Sequence, residues 1–327
     1  MDGIVTLGLL PYPGHRGNVA LKRKLAVEKD SSSQPQWQLV LILWGTKYRV
    51  EEVNGIIATV RRFSNLPFRA VLITDREHEG LDPNIRLVKF PQFYLREEMR
   101  GGGCQAKLVL FEKGIVPTDL PAVYIDLDTV VLGDLSLLLA EAKSERSVAI
   151  FQSAVLPIGP IGRFVARLTG GKKYARGNSS IVVYRPAECH YISDSFKRLQ
   201  SEHGDAGIRP MIADERFISW CAQADLQRIP RRLAVKFPTE FMLPWEWLIR
   251  LRGKLPWVRR RWAGLLAVTL PGVEVKGQEL LKMEDGSVIV DRKGRRLIWS
   301  EAAIGPMKEK LIGYYSRLNA GSEEDVA

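Results

Sequence analysis

Residues 122–132 read Ala-Val-Tyr-Ile-Asp-Leu-Asp-Thr-Val-Val-Leu, so Asp126 and Asp128 stand two positions apart in an otherwise apolar, β-branched run. In extended backbone, side chains i and i+2 share a face, so both carboxylates could meet one cation while Leu127 faces the core. Unpaired carboxylates at the edge of a buried sheet are costly to hold, and a bound divalent metal removes that cost. With fifteen aspartates in 327 residues, an Asp-x-Asp arises about once by chance, so the strand setting carries the information. The alternative is a capping and turn role ahead of Gly133-Asp134.

Other residues with chemistry fall in order around that pair. They are Trp44-Gly45-Thr46-Lys47-Tyr48, Thr74-Asp75, Lys107 shortly after three glycines, Asn178-Ser179-Ser180 and Asp214-Glu215. Each has a plainer reading as well. Trp44 could be core, Asp75 a turn or N-cap residue, Lys107 an exposed helix lysine, and Asp214 the start of a helix.

The elements that must position these residues follow from periodicity. The apolar run Leu39–Trp44 has the length of a buried strand, and Val53, Ile56, Ile57 and Val60 give residues 51–63 helical spacing. Strands are expected over 69–74, 85–89, 147–152 and 179–184, and helices over 106–112, 134–142, 189–201 and 213–222. Alternating strands and helices predict an α/β fold with a largely parallel sheet and ligands at the carboxyl ends of its strands. Pro157, Gly159, Pro160, Gly162, Gly170 and Gly171 mark residues 155–176 as a loop with one short helix, able to close over a substrate. A hairpin over 287–299 turns at Lys293-Gly294, and a helix follows it. No internal repeat is visible.

Composition sets the outer bounds. The chain is 46% hydrophobic, enough for a full core, and no stretch approaches a spanning helix, so the expected place is the cytoplasm. Cys104, Cys189 and Cys221 lack C-x-x-C spacing, which predicts reduced thiols and no structural zinc. The net charge of +11 suits nucleic acid, an anionic membrane face or phosphorylated substrates. Within 245–263 six basic residues face one acid, interleaved with Trp245, Trp247, Trp257 and Trp262. Tryptophan with arginine suits a bilayer headgroup layer, so 245–262 is a candidate contact with the inner face of the plasma membrane. A solvated helical hairpin is the alternative.

Taken in order, these short stretches resemble the GT-A glycosyltransferases, and within them bacterial relatives of family 8, the group of glycogenin and the lipopolysaccharide galactosyltransferases. The resemblance covers residues 39–237. It implies a GT-A (Rossmann-like) mixed, mostly parallel sheet flanked by helices, binding a nucleotide diphosphate sugar, usually of uridine, with Mn2+ or Mg2+ at Asp126 and Asp128. The activity implied is transfer of a hexose-type sugar to a bacterial glycan or lipid-linked acceptor. By resemblance Asp128 is the direct metal ligand, and Asp126 bridges metal and ribose. Trp44, Gly45, Thr46, Tyr48 and Asp75 hold the nucleotide, Lys107 the diphosphate, Asn178 and Ser179 the transferred sugar. Asp214 and Glu215 lie at the anomeric carbon. The domains implied are an amino-terminal extension (1–38), a catalytic domain (39–240) and a basic aromatic extension (241–327).

Two departures are plain. Glutamate stands at 215 where the family has glutamine, and no histidine follows His203 to supply the family's third metal ligand. Glu240, water or diphosphate oxygens are the replacements considered. Competing classes are weaker. A nucleic-acid-binding protein has charge in its favour but no recognition motif, so no nucleic-acid partner is expected. A sugar nucleotidyltransferase would show a glycine-rich phosphate loop after the first strand. A non-catalytic, membrane-binding relative is the remaining alternative.

Overall fold

The computed structural model describes residues 34–324 apart from 154–155, 205–206 and 273–274, and the residues from Pro35 onward form one compact unit. Most of the expected extension over 1–38 lies outside the described residues. Strand β1 (Trp37–Leu43) is buried along its whole length. Val40 and Ile42 enter one core, and Trp37, Leu39, Leu41 and Leu43 enter another on the opposite face. A strand covered on both faces must be apolar throughout, which is why the sequence shows a run there and no alternation. Gln38 is the exception; its amide donates to the Pro117 and Leu120 carbonyls at 2.7 and 2.9 Å.

Helix α1 (Val50–Phe63) buries Val53, Ile56, Ile57 and Val60, with Glu51 and Glu52 in its first turn and Arg61 and Arg62 in its last. Those charges complement the helix dipole. Strands β2 (Phe68–Thr74) and β3 (Arg86–Lys89) add in parallel on one side of β1, and β4 (Ala122–Ile125) adds in parallel on the other. With β6 (Val148–Gln152), β7 (Gly177–Tyr184) and β8 (Leu226–Arg228), the sheet has the order β3-β2-β1-β4-β7-β6-β8. Only β7 is reversed; it runs antiparallel to β4 and β6, while β8 is parallel to β6. The expected mixed, mostly parallel α/β sheet is thus observed. Reversal has a consequence for the site, because the start of β7 meets the carboxyl ends of β4 and β6.

Helices α2 (Pro160–Leu168), α3 (Tyr191–His203) and α4 (Asp214–Cys221) pack around this sheet. Gly177 opens β7 because a Cβ there would lie 2.1 Å from the Ile150 side chain and 2.6 Å from the Phe151 carbonyl oxygen.

A second sheet has the order β5-β10-β9, from β5 (Thr129–Val131), β9 (Ala234–Lys236) and β10 (Ala267–Thr269). β10 pairs antiparallel with β5 and parallel with β9. A third core beneath it holds Phe237, Trp262 and Trp299. Helices α5 (Glu246–Lys254) and α6 (Pro256–Ala263), the hairpin of β11 (Val288–Val290) and β12 (Arg296–Ile298), and α7 (Met307–Glu324) follow. β10, which follows residue 240, sits between β5 and β9, which both precede it.

Basic and aromatic composition marked 241–327 as an extension, yet part of that composition is internal. Trp262 is 1% exposed, whereas Trp245, Trp247 and Trp257 are 58, 63 and 66% exposed. Arg252 and Arg261 bond to the buried Glu240, and Arg259 to Glu301. No helix among the described residues is long and apolar enough to cross a membrane.

Candidate active site

β4 stops at Ile125, and Asp126–Asp128 is a turn in which the Thr129 amide donates to the Asp126 carbonyl at 3.0 Å. The expected extended placement of the two aspartates is corrected accordingly. Pairing of β4 with β7 ends at Ile125, where the Asp126 amide makes one last bond to the Ser180 carbonyl at 2.9 Å, and the chain then leaves for the second sheet as β5.

Asp126 is already engaged. The Tyr124 hydroxyl donates to its Oδ1 at 2.5 Å, and Lys107 Nζ lies 2.7 Å from Oδ1 and 3.0 Å from Oδ2. Burial works against the Lys107 charge, but Asp126 and then Asp214 outweigh it and hold the ammonium above its usual range. Lys107 therefore reaches the site through Asp126. Asp128 is different. Its Oδ1 is buried with no hydrogen-bond partner among the described residues, and Lys276 Nζ is 3.9 Å from its Oδ2. Burial, and then the nearby Asp126 carboxylate, push its carboxyl up to about 6. The Leu270 amide donates to the Asp128 carbonyl at 2.9 Å, so the β10 segment fixes this turn.

Asp128 borders a cavity of about 360 Å3 together with Lys47, Tyr48, Ile56, Lys276 and Tyr315. The other expected nucleotide residues divide. Trp44 packs edge-on against Phe90 at 5.7 Å, which is a core role. Gly45, with φ +64, donates its amide to Asp75 Oδ2 at 3.1 Å, tying the ends of β1 and β2 together. Asp75 Oδ1 is buried without a hydrogen bond among the described residues, and Arg76 Nε lies 3.8 Å away. Thr46 is exposed. Of these, only Tyr48 lines the cavity with Asp128.

Asp214 and Glu215 open α4 but face different surroundings. Asp214 is 4% exposed, accepts from the Ser179 hydroxyl at 2.5 Å, and donates its amide to the Gly103 carbonyl at 2.9 Å. Burial pushes its carboxyl up to about 6 although Lys107 and Ser179 oppose that. This glycine is required, since a Cβ on Gly103 would lie 2.1 Å from the Ile212 carbonyl oxygen. Glu215 is half-buried, accepts from Asn178 Nδ2 at 2.6 Å and lines a second cavity. Asp214 is thus enclosed, whereas Glu215 lies open to a cavity.

Sequence reasoning missed Tyr124, Lys276 and Lys236, the last of which lines the cavity with Glu215. Tyr124 sits two residues before Asp126 and carried a signal; Lys276 reaches Asp128 only through the pairing of β10 with β5. Among the described residues, no three His, Cys, Asp or Glu side chains are grouped to hold a metal. Glu240 is excluded as a ligand because Arg231, Arg252, Arg261 and Trp262 all donate to its carboxylate. Two carboxylates with one orphaned buried oxygen fit a hard cation that keeps water and phosphate oxygens in its remaining positions.

No family profile and no curated protein sequence matches the chain. Solved structures do. The galactosyltransferase LgtC, in complex with donor and acceptor sugar analogs, matches with a TM-score of 0.52 at 12% identity, over 86% of this chain and 95% of that one. An active-site glutamine-to-glutamate mutant of LgtC matches with a TM-score of 0.53 at 11% identity over the same shares. The bifunctional glycosyltransferase WbbM matches with a TM-score of 0.51 at 13% identity, over 88% of this chain and 52% of that one. The fold is that of the GT-A glycosyltransferases, with relatives of family 8 among its neighbours.

Proposed function

We propose that the chain transfers a hexose-type sugar from a nucleotide diphosphate donor, a uridine diphosphate sugar by preference, to a bacterial glycan or lipid-linked acceptor. The observation that carries this reading is the unpartnered, buried Asp128 oxygen beside Asp126 at the end of β4, in a fold shared with glycosyltransferases. The acceptor hydroxyl oxygen bonds to the anomeric carbon and gives its proton to Glu215 acting as base, while the bond from that carbon to the donor diphosphate breaks, its electron pair staying with the diphosphate. Mn2+ or Mg2+, held by Asp128 with Asp126 beside it, would stabilise the charge that develops on the leaving diphosphate. Lys276 and Lys47 add positive charge in the same cavity, and Tyr48 offers the base a ring. Calorimetry with UDP and GDP sugars, with and without Mn2+, tests it. Absence of any metal-dependent sugar-nucleotide binding would refute the reading, and pyrophosphate release from a nucleoside triphosphate would point to a nucleotidyltransferase instead.

Glu215 supplies the reachable carboxylate at the transferred sugar, oriented by Asn178, while Ser179 and Asp214 brace that edge. An amide at 215 could orient but could not act as base or nucleophile. Glu215→Gln is expected to lower kcat by ~10^2 to 10^4-fold with donor KM changed only a few-fold. Retention of kcat within tenfold would restrict Glu215 to orientation.

Trp245, Trp247 and Trp257 are exposed, with Arg250, Lys254 and Arg260 on the same two helices. This composition supports contact with an anionic bilayer surface, which would bring a lipid-linked acceptor to the enzyme. Replacing the three tryptophans with alanine is expected to reduce co-sedimentation with phosphatidylglycerol vesicles by about tenfold or more, at roughly 0.8 kcal/mol per buried methylene equivalent. Unchanged sedimentation removes the membrane from the proposal.

A further inference from the structure

Glu215 opens onto a cavity of about 550 Å3 that shares no lining residue with the cavity at Asp128. Its walls come from the end of β6, the start of α4, the end of β9 and the turn of the β11–β12 hairpin. Six cationic side chains line it: Arg176, Arg216, Lys236, Arg292, Lys293 and Arg295. Against them stand two carboxylates, Glu215 and Asp291. Asp291 is already committed to the hairpin turn. It accepts the Lys293 and Arg295 amides at 2.9 Å each and the Arg295 guanidinium at 2.8 and 2.5 Å.

Concentrating cations in a concave wall raises their mutual repulsion, and an anion relieves it. Burial holds the Lys236 ammonium below its usual range even though Glu215, Asp126 and Asp128 favour its charge, so a further anion there would be welcome. The donor diphosphate does not need these groups, because the Asp128 cavity has its own lysines, Lys47 and Lys276. A neutral sugar does not need them either; hydroxyl groups are held well by amides and carboxylates. Arginine forks and lysine ammonium groups match phosphate.

We infer that this cavity is the acceptor subsite and that the acceptor carries a phosphate group near the hydroxyl that is glycosylated. The assignment rests on the transfer reading above, since Glu215 is the group that joins the cavity to the reacting sugar.

Glucose 6-phosphate and glucose, titrated into the full chain with and without saturating UDP and Mn2+, test it. The phosphorylated sugar should bind at least tenfold more tightly than glucose under both conditions. Substituting Arg176→Ala and Lys293→Ala together, both on exposed positions, should remove that preference and leave UDP affinity unchanged. Equal binding of the two sugars, displacement of glucose 6-phosphate by UDP, or a preference untouched by the double substitution would overturn the inference. Failure of UDP to bind with the preference intact would support the anion site and remove the transfer reading. Phosphatidylglycerol vesicles separate the phosphate's source. Sedimentation unaltered by the double substitution supports a glycan phosphate, and sedimentation lost with it places the phosphate on a lipid headgroup.

Discussion

Asp128→Asn abolishes metal-dependent donor turnover, with an expected loss of ~10^3-fold or more, and at the same time makes the metal-free protein more stable. Both effects come from one oxygen. Asp128 Oδ1 is buried with no hydrogen-bond partner among the described residues, and Lys276, 3.9 Å from Oδ2, does not outweigh the burial and Asp126, so the charge is a cost until a cation binds. An amide at 128 removes that charge and can place an N–H where a cation would bind. The stability effect has a defined pH window. Burial first, and Asp126 second, raise this carboxyl from its ordinary value of 3.8 to about 6. The folded form therefore holds its proton more tightly than the unfolded chain, and that contribution is fully present below pH 3.8 and lost as the pH rises through 6. Above that, ionised Asp128 destabilises the apo fold by roughly 1–3 kcal/mol, which the asparagine variant escapes. Thermal unfolding in chelator at pH 7.5 should show the variant above wild type, and at pH 4 the difference should shrink. Mn2+ affinity of the wild type should rise about tenfold per pH unit below 6 and level off above, because the cation displaces the proton. Wild-type turnover in the asparagine variant would end the metal assignment.

How far the sequence spoke for itself depended on the range of the interaction involved. β1 was legible because burial on both faces leaves only apolar choices, and α1 because one face repeats at helical spacing. The aspartate pair was legible as a feature, but its backbone was not. The β-branched run continues past it, and only the pairing limit with β7 at Ile125 ends the strand. Lys107 stood out by its position after three glycines, yet nothing local could show that Asp126 takes its ammonium across nineteen residues. Asp214 and Glu215 are neighbours in sequence and differ in role because a helix start turns one side chain inward to Ser179 and the other toward Asn178. Lys276 was invisible for the same kind of reason. Composition placed it in an extension, and the β10–β5 pairing that brings it to Asp128 joins segments more than a hundred residues apart.

Glu240→Ala should be among the most destabilising single substitutions in the chain, at ~3–5 kcal/mol, or a fall in Tm of roughly 6–12 °C. Glu240 is 1% exposed, and its two oxygens accept from Arg252, Arg261, Trp262 Nε1 at 2.8 Å and Arg231 at 2.7 Å. Arg252 also donates to the Glu240 carbonyl at 2.5 Å, so α5 and α6 are tied through this one carboxylate to the segment that follows β9. Removing it leaves the Trp262 N–H buried without an acceptor and brings guanidinium groups together without a counter-charge. Glu240→Gln keeps the volume and one acceptor, and should lose about half as much. Burial alone would raise this carboxyl, but Arg261, Trp262, Arg252 and Arg231 outweigh it and hold it below its ordinary value of 4.5. Its contribution is therefore present above pH 4.5 and lost only as the pH falls further, opposite in sign to that of Asp128. Calorimetry from pH 4.5 to 7.5 separates the two acids. The gap between wild type and Glu240→Ala should stay constant across that range, while the gap between wild type and Asp128→Asn closes toward its lower end. A Glu240→Ala gap that also closed there would mean that the carboxylate is not held ionised by its four donors.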